Sequence, residues 1–150
     1  MRTILALRLL VPAVWLGLVL GLSFIETPLK FLAPGITVPL GLGIGRLVFW
    51  ALAIAGAALL IVMTLLAIAR PRVRRADGIV LAGLWVILAV QSLGIRPALS
   101  ARSDIIIAGG DPGPSALHYL YIATDVVIVV LLVVWMVRAA RRALPAPVEG

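Results

Sequence analysis

"LHYLYIATDVVIVVLLVVWMV", Leu117–Val137, is almost wholly apolar, yet it carries a carboxylate, Asp125, near its middle. Its length matches the roughly 20 apolar residues that a helix needs to cross the hydrocarbon core of a bilayer. Three other stretches read the same way: about Ile4–Phe24, Leu47–Ala69 and Gly78–Ile95. None shows the period-2 alternation of a membrane β-strand. In lipid the backbone groups must then be satisfied within helices. The expected fold is all-α, a four-transmembrane-helix bundle forming one domain over residues 1–143, with 144–150 a disordered tail.

Composition leads to the same class. Of 150 residues, 63% are hydrophobic and 13% charged, and the mean hydropathy is +1.22. A soluble domain of this size could not bury so much apolar surface. The basic start "MRTILALRLLVPAVWLGLVLG" resembles a signal sequence, but it lacks a small-x-small cleavage site and its apolar run continues through Phe24. It reads as an uncleaved first span. The chain has no cysteine, which excludes disulfides, thiolate metal sites and thiol catalysis.

Basic residues set the expected orientation. Nine of the 13, namely Arg2, Arg8, Arg70, Arg72, Arg74, Arg75, Arg138, Arg141 and Arg142, fall on one side of the four spans. Lys30, Arg46, Arg96 and Arg102 are the four on the other side. Both termini are therefore expected in the cytoplasm, with the protein in a bacterial inner membrane. The net charge of +7 does not point to nucleic acid, because the arginines flank apolar spans and no polar domain presents them. The Arg70–Arg75 loop can attract anionic lipid headgroups, although topology alone accounts for it. Arg8, inside the first run, is expected to snorkel to the headgroups.

The two loops on the less basic side differ. "IETPLKFLAPGITVPLGLGIG" is rich in proline and glycine but still apolar, and reads as a short interfacial piece or as non-helical backbone covered by protein. "RPALSARSDIIIAGGDPGPSA" carries turn chemistry from Gly109 to Pro114, and Ser115 stands where a helix cap would open the last span. Gly17 with Gly21, and Gly41 with Gly45, have the G-x-x-x-G spacing that lets helices approach closely. Packing within the chain is the favoured use, and contact with a second copy or a membrane partner through Gly17 and Gly21 the alternative. Trp50, Trp135, Tyr119 and Tyr121 fall near span ends and suit an interfacial aromatic belt. Trp15 and Trp85 lie mid-span and are expected between helices.

Asp125 sits about 12 Å below its end of the span, at 1.5 Å per residue. Insertion of an aspartate near a helix centre costs about 2.5–3.5 kcal/mol. It must face the bundle interior and find a partner. His118 and Tyr121 lie on or near the same helical face. Gln91 and Ser92 are at a comparable depth on the third span. Glu26, Arg46 and Arg96 mark the ends of the others. The candidate ligand- or ion-binding residues are thus Asp125, His118, Tyr121, Gln91, Arg46, Arg96 and Glu26, all in one half of the bundle. The other half offers little beyond Thr64. An internal clasp that sets helix register is the structural alternative.

"WLG" at Trp15–Gly17, "SFIETPLKF", "GLGIGRLVF" and the "LH" of Leu117–His118 resemble an uncharacterised family of small bacterial four-helix integral membrane proteins. That family looks related to transmembrane protein 205 and, more remotely, to CopD-like copper-resistance membrane proteins. The resemblance implies fold more than activity, with Pro28, Phe31, Arg46, Phe49 and His118 as signature positions. The copper association transfers badly. A Cu(I) site wants several soft ligands, and this chain has one histidine, no cysteine and three methionines. No metal or cofactor is expected.

Three functions compete. The first is a membrane protein that binds or passes an ion, proton or small solute through the polar cluster. The second is a non-catalytic accessory or assembly subunit. The third, a haem or redox protein, would need two copies to supply two His118 ligands. No nucleophile–base pair or phosphate loop argues for an enzyme.

Overall fold

The computed structural model describes residues 2–143, and the tail expected at 144–150 lies outside them. Among the described residues four helices are long and apolar enough to cross a membrane: α1 Arg2–Leu32, α2 Val38–Ile68, α3 Arg75–Ile107 and α4 Leu117–Ala143. Among the described residues there is no strand. Each helix packs on its neighbour in sequence, and α4 closes the ring against α1. Trp15, Leu60, Met63, Leu84, Ile128 and Leu132 are the largest fully buried apolar side chains, drawn from all four helices.

The helices run well beyond the apolar stretches. The proline- and glycine-rich segment after the first stretch is mostly helix, and only residues 33–37 connect α1 to α2. Thr37 caps α2, accepting a hydrogen bond from Leu40 N at 3.4 Å, with Pro39 in the first turn where no N–H is missed. Likewise α3 passes through Pro97 as far as Ile107. The following turn has the glycine chemistry expected of it: Gly109 and Gly113 adopt positive φ. Gly113 N donates to Asp111 Oδ1 at 2.8 Å, and Arg102 ties the turn back by donating to Pro112 O and Gly113 O. Ser115 Oγ accepts from Leu117 N at 3.2 Å.

Prolines explain the irregular stretches of these helices. A proline ring collides with the carbonyl four residues back and supplies no N–H for it. The backbone widens to π geometry over Leu20–Glu26 and Val90–Ile95, in each case ending two residues before a proline, Pro28 or Pro97. The widening moves the obstructed carbonyl off the ring's path. Pro12 is handled differently. It leaves the Arg8 carbonyl without its helical donor, and Trp135 Nε1 from α4 donates to that oxygen at 3.0 Å.

Trp135 is therefore a buried strut, 3% exposed, and not part of an interfacial belt. Tyr121 is also buried, whereas Trp50 and Tyr119 face outward as expected. Trp15 packs in the core against Gly56, whose missing Cβ leaves room for the indole. Trp85 is 40% exposed and donates to Thr64 Oγ1 at 3.1 Å. Gly41 and Gly45 serve packing within the chain, making room for the Phe31 ring and the Lys30 ammonium. Gly17 and Gly21 do not: nothing lies within 4 Å of a Cβ built on either. The close-packing role favoured for that pair is thus corrected.

The arginine-rich end of the bundle is far more polar inside than the sequence suggested. Arg8 turns inward, contrary to the expected snorkelling. Its guanidinium donates to Leu66 O at 2.6 and 3.1 Å, to Ala69 O at 3.1 Å and to Pro71 O at 2.6 Å. It closes the C-terminal end of α2, where helix carbonyls have no intrahelical donor. Asp77, 3% exposed, accepts from Arg138 Nε at 2.6 Å and from Arg142, and from Arg74 N at 3.1 Å. One carboxylate thus ties α3 to the end of α4.

Removing the indole donor in Trp135→Phe is expected to cost about 1–3 kcal/mol, the range for a buried acceptor left unpaired. Pro12→Ala restores the missing helical N–H, so it should recover part of that loss in the Trp135→Phe background. Unfolding in mixed micelles measures both. If Pro12→Ala changes stability equally in the two backgrounds, the indole is not replacing the proline's missing bond.

Candidate functional site

In the half of the bundle away from the arginine-rich end, a buried polar cluster meets a cavity. Asp125 on α4 is 2% exposed and Gln91 on α3 is 3% exposed. Gln91 Nε2 donates to Asp125 Oδ1 at 2.7 Å and to Thr124 Oγ1 at 3.0 Å, and Thr124 Oγ1 donates to its own helix at Tyr121 O, 2.6 Å away. One amide thus bridges two helices. An unpaired buried carboxylate would cost several kcal/mol, so this bridge is what lets Asp125 sit among apolar helices.

Gln91 lies within the π segment of α3, and Ser23, which faces Asp125 from α1, lies within the π segment of α1. A π turn rotates the following side chains relative to a regular helix, and such turns recur where function needs a side chain re-aimed. Here both turn polar groups of flanking helices toward one carboxylate.

Other polar atoms around the cluster have no partner. Tyr121 Oη, Ser23 Oγ, and Arg96 Nε and Nη2 are buried and make no well-formed hydrogen bond, although Ser23 lies against Asp125 and Arg96 against Tyr121. The Tyr121 ring is held edge-on by Phe49 of α2, centroids 5.0 Å apart at 62°. Tyr121 and Arg96 line a cavity of about 680 Å³ that extends among α1, α2, α3 and α4 away from Asp125.

Of the seven residues expected at the site, Asp125, Gln91, Tyr121 and Arg96 come together. Arg46 and His118 line the cavity further out. Arg46 pairs with Asp104 on α3, and the ring of His118 stands edge-on to Tyr119, centroids 6.3 Å apart. Glu26 does not join the cluster: it pairs with Lys30 one turn along α1 at 3.3 Å, and Lys30 is the member of that pair on the cavity wall.

Sequence reasoning missed Thr124, Ser23 and Lys30. Thr124 had a signal, since a hydroxyl beside a mid-span aspartate on the same helix is placed to share its donor. Lys30 had none, because the segment after Phe24 does not read as helix, and Ser23, near the end of the first span, is aimed at Asp125 only by the π segment of α1. Asp77, a second buried carboxylate, is also absent from the sequence reading, since it stands beside four arginines in a short connection between spans. Among the described residues no three His, Asp or Glu side chains gather as a metal site would require.

No family model, curated protein or solved structure matches this chain.

The bridge makes a graded prediction. Asp125→Asn keeps an acceptor oxygen for Gln91 and should cost less than about 1 kcal/mol, while Gln91→Leu strands the carboxylate and should cost about 1–3 kcal/mol. Replacing both in Gln91→Leu/Asp125→Leu should cost less than the sum of the two leucine singles. Denaturation in mixed micelles reads the cycle. Additivity within about 0.5 kcal/mol would mean that the two side chains are not coupled.

Proposed function

We propose that this is a multi-pass protein of a bacterial inner membrane, its arginine-rich end in the cytoplasm, that binds an ion, proton or small solute in the opposite half of its bundle. The observation that carries this reading is the set of buried, unpartnered donors, Tyr121 Oη and Arg96 Nε and Nη2, on the wall of a cavity beside Asp125. A bundle stabilised for its own sake satisfies its buried polar atoms, as the Arg8 and Asp77 networks do at the other end. Donors left open next to a 680 Å³ space are groups waiting for a ligand. Intramembrane ionisable residues mark binding or conduction sites by default.

Asp125 would be the titratable or cation-binding group, held by Gln91, and Arg96 with Tyr121 would face the solute. Phe31, Arg46, Phe49 and His118, four of the five positions that the family resemblance would imply as its signature, line the same cavity. Haem ligation ranks below this reading, because the site offers one histidine. No catalytic step is assigned.

A second reading has one observation in its favour. Gly17 and Gly21 face open space, so this G-x-x-x-G face is free to receive another helix. An accessory subunit would use it, and Gly17→Leu should then abolish co-purification of its partner.

Thermal unfolding in non-ionic detergent, across pH and a panel of monovalent and divalent cations and small anions, tests the first reading. A ligand at a hundredfold excess over its Kd adds about 2.7 kcal/mol of stability. The wild type is expected to gain stability under particular conditions that leave Asp125→Asn unmoved. Parallel curves for the two proteins under every condition would make Asp125 a clasp and nothing more.

A further inference from the structure

We infer that the cavity takes a single-chain amphiphilic anion, an apolar chain ending in a carboxylate or phosphate head, with the head on Arg96 and Tyr121. This rests on the reading of the cavity as a solute site and names its ligand class.

Charge on the wall decides the sign of the ligand. Lys30, Arg46 and Arg96 line the cavity, and among the lining residues none is acidic. Lys30 is neutralised by Glu26 and Arg46 by Asp104, both from outside the cavity. Arg96 has no ion pair among the described residues, and two of its nitrogens are buried without a partner. An arginine among apolar walls is costly until an anion meets it, and its planar fork matches a carboxylate or phosphate with two parallel bonds. Tyr121, 3% exposed, places its hydroxyl against Arg96 without a well-formed hydrogen bond. Asp125 lies close enough to feel the Arg96 charge, but its Oδ1 is taken by Gln91 and the ion pairs among the described residues include none between the two.

The rest of the wall decides the tail. Leu42, Phe49 and Leu99 supply apolar surface, and the Phe31 ring, seated over Gly41, adds to it. Leu47 and Trp50, also on the wall, are 72% and 62% exposed, so they look outward from the bundle where a membrane's hydrocarbon would lie. The cavity therefore opens sideways into lipid, and an amphiphile can enter chain and all without crossing water. A small hydrophilic anion would have to leave the apolar wall unfilled.

The test is equilibrium binding of radiolabelled dodecanoate and dodecyl phosphate to the full chain in non-ionic detergent. Dodecyltrimethylammonium, dodecanol and inorganic phosphate serve as competitors. One anionic chain per protein is expected, with neither the cationic nor the neutral chain competing at equal concentration. Arg96→Gln should weaken binding at least about tenfold, the loss of one charge-assisted contact. Ser100→Trp, which fills the cavity without touching a charge, should also abolish it. The tighter of the two labelled chains identifies the head. Either variant's fold is checked by its unfolding curve, and if Arg96→Gln does not fold, loss in Ser100→Trp together with selectivity for anionic chains carries the test.

Equal competition by the cationic or neutral chain, or unchanged binding in a folded Arg96→Gln, would overturn the assignment. If inorganic phosphate binds saturably and neither labelled chain does, the cavity holds a solute but not an amphiphile, and the broader reading survives alone. If no probe binds and Asp125→Asn tracks the wild type under every condition, both fail.

Discussion

A carboxylate among apolar helices must be met by donors from its neighbours, and this bundle solves that problem twice, in opposite ways. Asp77 is met by charge, with Arg138 and Arg142 reaching it from the end of α4. Asp125 is met by a neutral amide from α3 and leaves a nearby arginine unpaired. The first arrangement closes its end of the bundle, because the buried carboxylate Asp77 and the buried guanidinium of Arg8 are both answered. The second leaves donors open, so the same physical requirement yields a locked end and an end with unpartnered polar groups beside a cavity.

Proline shapes both ends. Each proline inside a membrane helix releases a carbonyl that lipid cannot satisfy. At Pro12 the answer comes from another helix, the indole of Trp135, which adds a cross-link between α1 and α4. At Pro28 and Pro97 it comes from the helix itself, which widens by a π turn. Those two turns present Ser23 and Gln91 toward Asp125. The irregularities that make the helices poorer as helices are thus the ones that assemble the polar cluster.

Glycine use separates two kinds of close approach. Gly41, Gly45 and Gly56 are filled by side chains of α1, namely Phe31, Lys30 and Trp15. They hold α1 against α2 along its length and shape the cavity floor. Gly17 and Gly21 have the same spacing but face outward. Spacing alone does not tell which side of a helix is covered; that depends on where the ring of neighbours closes.

From residues alone the chain's solvent, its helix number and the depth of its central carboxylate were legible, because apolar length and the cost of a buried charge are properties of a segment by itself. So was the meeting of Asp125, Gln91, Tyr121 and Arg96 in one half, since depth along an antiparallel bundle follows from position in the chain. Three things waited on the tertiary structure. The helices continue through apolar, proline-rich segments that read as loops, because neighbouring helices and π turns satisfy what the prolines release. Arg8 turns inward and Trp135 is buried, because the carbonyls that hold them belong to other parts of the chain. And among the described residues Arg96 makes no ion pair while Lys30 and Arg46 do, a difference set by which side chains share a wall. Pairing across helices is a matter of distance in space, and no segment carries that information on its own.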